Sequence, residues 1–217
     1  MISVIILAAG QGSRMKLNYN KMFYEIEPNL TIIEKCLLPF SQHFLISEII
    51  VVCNQEEEER IQNILADYKI KTTHGGHERY DSVINGLALV TNDYVLIHDG
   101  ARCFISDALI TKISQSTISY QAAILAVKAK DTIHIEKEGF LESTIERQHA
   151  YLAQTPQGFK TELIKEAYQI MKDNPKKYST ITDDAMLVNT VLNQPIKIVE
   201  SDYSNLKVTT IEDVKHV

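Results

Sequence analysis

This sequence is short of positive charge. It carries 22 Lys and Arg against 28 Asp and Glu, a net charge of −6. That deficit excludes wrapping of a nucleic-acid backbone, which needs clustered Lys and Arg. It excludes an anionic membrane surface as well, but leaves room for one small anionic ligand held by a few local charges. Cysteine is scarce too. Cys36, Cys53 and Cys103 are widely spaced, and none belongs to a Cys-x-x-Cys pair. An odd count without a disulfide framework reads as reduced, intracellular thiols. No apolar stretch approaches the roughly 18 residues that a spanning helix requires. The apolar N-terminus lacks a basic leader region and its run stops at Gly10, so it does not read as an export segment and a cytoplasmic location is expected. Internal repeats, linkers and low-complexity segments are also missing. The composition, 45% hydrophobic and 23% charged, is ordinary for a globular chain of one sizeable domain.

The apolar residues come in short β-branched runs. Ser3 to Leu7, Ile49 to Cys53, Tyr94 to His98 and Ala122 to Val127 are continuous enough for strands buried on both faces. Helical periodicity fills the intervals at Thr31 to Phe40, Glu56 to Tyr68, Ser82 to Val90 and Ser106 to Ser116. Strand alternating with helix predicts an α/β fold with a doubly wound, mostly parallel sheet. Residues 131–154 break the rhythm, alternating polar and apolar side chains around a Glu-Gly turn. This pattern predicts a projecting β-hairpin arm, and such an arm needs a surface to pack on, here expected to be another subunit. Helices are predicted again at Thr161 to Met171 and Asp183 to Leu192, then a strand at Ile196 to Glu200. The expectation is a single domain, 1–217, with 131–154 as a dimerisation arm.

Three loops carry chemistry. The first strand runs into Ala8-Ala9-Gly10-Gln11-Gly12-Ser13-Arg14, with Lys21 close behind. Small residues let a ligand approach the backbone, and successive N–H groups can form a nest for phosphate oxygens, to which Arg14 and Lys21 add full charges. The dinucleotide fingerprint would need Gly at Met15, and the Gly-Lys-Ser/Thr of a Walker loop is absent. Gly75-Gly76-His77-Glu78-Arg79-Tyr80-Asp81-Ser82 precedes a helix; Ser82 can bond a ligand's polar edge, or Asp81 or Ser82 can cap that helix. Asp99, in His98-Asp99-Gly100-Ala101-Arg102, follows a buried strand, and carboxyl ends of strands are where open α/β sheets bind ligands. Asp99 is therefore either a Mg²⁺ ligand or the ion-pair partner of Arg102.

These loops occur in order with Asp131-Thr132, Gln154-Thr155-Pro156-Gln157-Gly158-Phe159, Thr182-Asp183-Asp184-Ala185 and Asn205-Leu206-Lys207-Val208-Thr209. Together they resemble the 2-C-methyl-D-erythritol 4-phosphate cytidylyltransferases of the non-mevalonate isoprenoid pathway, over residues 3–213. The resemblance implies a Rossmann-like nucleotidyltransferase fold and a homodimer that joins CTP to a polyol phosphate with Mg²⁺. It places the CTP phosphates on the backbone of Ala8, Ala9 and Gly10, and the transition-state charge against Arg14 and Lys21. Gly76 and Ser82 would read the cytosine, Thr155 would lie near the nucleotide, and Asp99 would hold Mg²⁺. Arg147 and Lys207 would position the methylerythritol phosphate, with Arg102 and Thr132 on that phosphate across the subunit boundary.

Ribitol-5-phosphate cytidylyltransferases share most of these motifs, but tend to have Ala-Gly-Gly in the first loop and Asp-Ala-Val-Arg in the third. Ala8-Ala9-Gly10 and Asp99-Gly100-Ala101-Arg102 favour the methylerythritol enzyme. A catalytically silent nucleotide-binding module would not need both charge sets. The chain departs from the family's pattern at Cys103 and Asn20, where Pro is usual and would stiffen the loop, and at His134, where Lys is usual. Cys103 reads as a packing residue rather than a nucleophile, since no His–Cys pairing is apparent.

Overall fold

The computed structural model describes residues 1–10, 15 and 17–215; Arg14 lies outside the described residues. In chain order the elements are β1 (Ile2–Leu7), β2 (Glu25–Glu27), β3 (Leu30–Thr31), α1 (Ile32–Ser41), β4 (Ile46–Cys53), α2 (Glu58–Ile64), β5 (Lys71–His74), α3 (Arg79–Ala88) and β6 (Tyr94–Asp99). There follow α4 (Asp107–Tyr120), β7 (Ala122–Lys128), β8 (Ile133–Lys137), β9 (Phe140–Ile145), β10 (Tyr151–Lys160), α5 (Thr161–Asp173), α6 (Asp184–Leu192), β11 (Lys197–Glu200) and α7 (Ile211–Lys215). No helix among the described residues is long and apolar enough to cross a membrane.

Seven strands form one sheet in the order β11-β7-β10-β6-β1-β4-β5. β10 pairs antiparallel with both β6 and β7, whereas the remaining pairs are parallel. The alternation of side chains along a strand explains the two layers of helices. On β1, Val4 and Ile6 face a core built with Ile33, Leu37 and Phe40 of α1, Ile61 of α2 and Ile110 of α4. Ile5 faces the other core, with Val83 and Leu87 of α3, Ile164 and Tyr168 of α5 and Leu187 of α6. Both faces are therefore covered, which is why the sequence runs are apolar without alternation. The doubly wound reading holds, and it aligns the carboxyl ends of β1, β4, β5 and β6 along one edge.

Several boundaries differ from the sequence expectation. α2 is shorter than residues 56–68, because a 3-10 turn occupies Gln55–Glu57 and the chain leaves helical geometry at Leu65, with φ −101 and ψ 21. α3 begins at Arg79 because its N-cap is Glu78, whose N–H donates to Asp81 Oδ2 at 3.0 Å. Asp81 thus takes part in capping from the third helical position, whereas Ser82 does not. The hairpin occupies β8 and β9 only, turning at Glu138 and Gly139 with φ 53 and 84; residues 151–154 already belong to β10. β10 escapes the sequence pattern because it contains Pro156 and Gly158, both of which argue against a strand. Its pairing with β7 shifts register between Ala153 and Gln157. A Cβ on Gly158 would stand 1.9 Å from Thr117 Oγ1 of α4, so close helix packing explains the glycine.

Candidate active site

The carboxyl ends of the parallel strands open into a cleft of about 660 Å³, lined by Ala9, Gly10, Lys21, Gly76, Ser82, Asp99 and Lys207 among others. Three separate loops build it. Ala8 continues the pairing of β1, donating its N–H to Val52 O at 2.8 Å. Asn20 then ties the following turn back: its Nδ2 donates to Ala8 O at 3.0 Å and to Glu57 Oε2 at 2.8 Å. Its Oδ1 accepts from Met22 N at 3.1 Å. These bonds supply by hydrogen bonding the restraint that a proline would supply covalently. Lys21, in the short 3-10 turn Lys21–Phe23, is buried and donates from Nζ to Val208 O at 2.8 Å.

The second loop meets the first at Gly75. A Cβ there would lie 2.5 Å from Ala9 Cβ and 3.0 Å from Ser82 Oγ, so the two loops touch only because residue 75 has no side chain. Ser82, buried in the first turn of α3, accepts from Gly76 N at 3.2 Å and lines the cleft. Of its two sequence readings, the structure rejects the helix cap.

Asp99 ends β6 under three cations. Lys207 Nζ donates to Oδ2 at 2.8 Å, Arg102 Nε lies 4.0 Å from the same oxygen, and Arg79 Nε lies 3.8 Å from Oδ1. Burial alone would raise the Asp99 carboxyl, but the Lys207 and Arg79 charges outweigh it and hold the group below its ordinary range. Asp99 is an anion with its nearest cation on a distant loop, not on Arg102. Arg102 instead donates from Nη1 to Asn205 O at 2.8 Å.

Behind Asp99 lies a buried relay. Asp99 N–H donates to Thr155 Oγ1 at 3.0 Å, and Thr155 Oγ1 is 3.1 Å from His98 Nδ1. His98 Nε2 is 3.1 Å from Arg102 O. A carbonyl only accepts, so Nε2 carries the proton and Nδ1 accepts from the Thr155 hydroxyl. Burial pushes the fully buried His98 down to about 4, keeping it neutral. Thr155 therefore stands at the back of the Asp99 turn, with its hydroxyl committed there.

Arg147 and Thr132 are not among the cleft's lining residues. Arg147, in the turn after β9, donates from Nη1 to Lys130 O at 3.2 Å and lines a separate shallow pocket with Lys128 and Gln148. Thr132 is exposed at the base of the arm. Cys103 is buried, and burial pushes its thiol up to about 12, which leaves no thiolate near neutrality.

Sequence reasoning missed Arg79. It sits between the cleft and a neighbouring one of about 610 Å³, anchored by Nη2 to the fully buried Asp184 at 2.7 Å. Tyr168 donates its hydroxyl to the other oxygen of Asp184. The signal was present in Glu78-Arg79 and in Thr182-Asp183-Asp184-Ala185, but only folding brings residues 105 apart together.

Comparison with known proteins gives this geometry a family. The family model described as 2-C-methyl-D-erythritol 4-phosphate cytidylyltransferase matches residues 2–217. The protein of that name from Geobacillus kaustophilus is 41% identical over 217 residues, covering 97% of this chain and 92% of its own length. One from Clostridioides difficile is 40% identical over 221 residues, covering 99% and 91%. The crystal structure of 4-diphosphocytidyl-2C-methyl-D-erythritol synthase from Anaerococcus prevotii is similar with a TM-score of 0.88 at 34% identity, covering 100% of this chain and 93% of that one. The Francisella tularensis 2-C-methyl-D-erythritol 4-phosphate cytidylyltransferase gives 0.82 at 30% identity, covering 99% and 97%. With the match running from β1 to the end of the chain, and with the loops of the cleft inside it, the chain belongs to the 2-C-methyl-D-erythritol 4-phosphate cytidylyltransferase family.

Proposed function

We propose that the cleft transfers the cytidylyl group of CTP to 2-C-methyl-D-erythritol 4-phosphate, giving 4-diphosphocytidyl-2-C-methyl-D-erythritol and pyrophosphate. The observation that carries this reading is the meeting, in one cleft of a family member, of the Ala9–Gly10 turn, the Gly76–Ser82 loop and the Asp99–Lys207 pair. A phosphate oxygen of the methylerythritol substrate attacks the α-phosphorus of CTP; the new P–O bond forms as the bond to the β-phosphate breaks, and pyrophosphate leaves. The attacking monoester is already an anion, so the chemistry asks for positioning and charge stabilisation.

Ala9 and Gly10 offer backbone N–H groups to the triphosphate, the Ala8 N–H being committed to Val52 O; Lys21 and Arg14 are assigned the charge that builds at the α-phosphate. Gly76 and Ser82 bond the polar edge of cytosine, a role supported by their place at the rim of α3. Mg²⁺ commonly takes one or two carboxylates together with phosphate oxygens and water. An ionised Asp99 beside a triphosphate site fits that donor set; when bound, the ion would neutralise charge on the triphosphate. Lys207 links the Asp99 end of the cleft to the methylerythritol phosphate. Arg102, fixed on Asn205 O, is assigned to the same phosphate.

Arg147 and Thr132, which lie off this chain's own cleft, support a homodimer in which the arm built on β8 and β9 reaches the partner's site. The exposed Phe140 and Leu141 on β9, 78% and 63% accessible, give that arm apolar surface to bury. The three free, buried cysteines agree with a reducing, cytoplasmic setting. The test is pyrophosphate release from CTP with each polyol phosphate supplied separately. Turnover with methylerythritol phosphate is expected. Turnover with ribitol 5-phosphate alone refutes the assignment of the second substrate, and none with either refutes catalysis.

A further inference from the structure

The loop between β11 and α7 brings Lys207 to Asp99, and its path is set two residues earlier. Asn205 is fully buried. Its Nδ2 donates to Gln154 Oε1 at 3.1 Å and to Thr155 O at 3.0 Å, both on β10. Its own carbonyl accepts from Arg102 Nη1 at 2.8 Å. Gln154 completes the clasp, donating from Nε2 to Asp202 O at 3.0 Å. Thr155 thus holds both halves of the ion pair. Its hydroxyl accepts from the Asp99 N–H at 3.0 Å, and its carbonyl anchors the Lys207 loop through Asn205.

We infer that Asn205 is a positioning residue for the transfer reaction, fixing where the Lys207 ammonium stands relative to Asp99 and to the phosphate of the second substrate. The inference rests on the role given to Lys207 above. Asn205 is walled off from the cleft, so it acts through Lys207 and not by contact with a ligand. An amide is what the place requires, because both partners are oxygens and both bonds are donated by the same NH₂ group. An ionised Asp of the same shape has no donor to offer. The clasp also reaches the first substrate's side: Val208 N–H donates to Ala101 O at 2.8 Å, and Val208 O accepts from Lys21. Loss of about an ångström of registration in such a site can cost on the order of a hundredfold in rate.

A double-mutant cycle on the purified full chain tests this, with steady-state kinetics in CTP and 2-C-methyl-D-erythritol 4-phosphate for wild type, Asn205→Ala, Lys207→Ala and the double variant. Asn205→Ala is expected to lower kcat/KM for the methylerythritol phosphate by roughly 10- to 100-fold. The double variant is expected to match Lys207→Ala within about threefold, because residues acting as one unit are not additive. Losses that multiply mean that Asn205 only supports the fold, and overturn the inference; so does an Asn205→Ala enzyme at wild-type efficiency. If Lys207→Ala itself keeps wild-type efficiency, the role of Lys207 fails first and the inference falls with it, a distinguishable result. Should Asn205→Ala not fold by circular dichroism, Gln154→Met removes one of the two acceptors. The same cycle then applies, with a smaller loss expected to vanish in the Lys207→Ala background.

Discussion

Replacing His98 with Gln should flatten the acid limb of the stability curve. His98 is fully buried, donates to Arg102 O and accepts from Thr155. Its folded-state value is about 4, against 6.5 when free. The unfolded chain therefore takes up a proton that the folded chain refuses. The stability contributed by neutral His98 is complete above 6.5 and is lost as the pH falls toward 4. Between pH 8 and pH 5 the loss from this one group comes to about 2 kcal/mol. Gln can make both hydrogen bonds without titrating. It forfeits the edge contact of the ring with Phe40, whose centroid is 5.0 Å away, at a pH-independent cost of about 0.5–1.5 kcal/mol. The variant should accordingly be the weaker protein at pH 8 and no weaker, or stronger, at pH 5. Urea unfolding read by far-UV circular dichroism measures this, since the chain has no Trp for fluorescence. Parallel wild-type and variant curves from pH 8 to pH 5 would refute the buried neutral imidazole.

Glu48 governs a lower window. Burial opposes its charge, but bonds from Lys71, Ser3 and Thr91 outweigh that and hold it near about 2 against 4.5. Its contribution is complete above 4.5 and lost as pH falls through 2; allowing for the half-exposed Lys71, Glu48→Gln should cost about 1–2 kcal/mol at pH 7 by urea titration. Gly75→Ala places a methyl 2.5 Å from Ala9 Cβ, and should lower stability by about 1–3 kcal/mol. Because it parts the two loops proposed to hold the nucleotide, KM for CTP should rise by roughly tenfold, read by pyrophosphate release at varied CTP. Lys21→Ala should lose about 100- to 1000-fold in kcat, whereas Arg147→Ala should also raise KM for the sugar phosphate. A Lys21→Ala enzyme that keeps more than half of wild-type turnover would remove its assigned role.

Features written in neighbouring residues were readable without a structure. The apolar runs of β1, β4, β6 and β7 announce buried parallel strands, and the helical periodicity from Thr31 announces α1, which Thr31 caps. Ala8-Ala9-Gly10 and Gly75-Gly76 mark close backbone approach by composition alone, and Asp99 is placed by the rule that sites follow strand ends. What Asp99 binds was not readable, because its closest cation is 108 residues away on Lys207. β10 was hidden because Pro156 and Gly158 are explained by the sheet and helix packed against them, not by their chain neighbours. His98, Asn205 and Asp184 look like ordinary polar residues until burial removes water and leaves each with the partners that the fold supplies. Backbone propensity and hydrophobic periodicity are local, so the sequence alone determined the layers and the loops. Charge pairing and buried hydrogen bonds depend on distance through space, so only the tertiary structure decided which side chains work together.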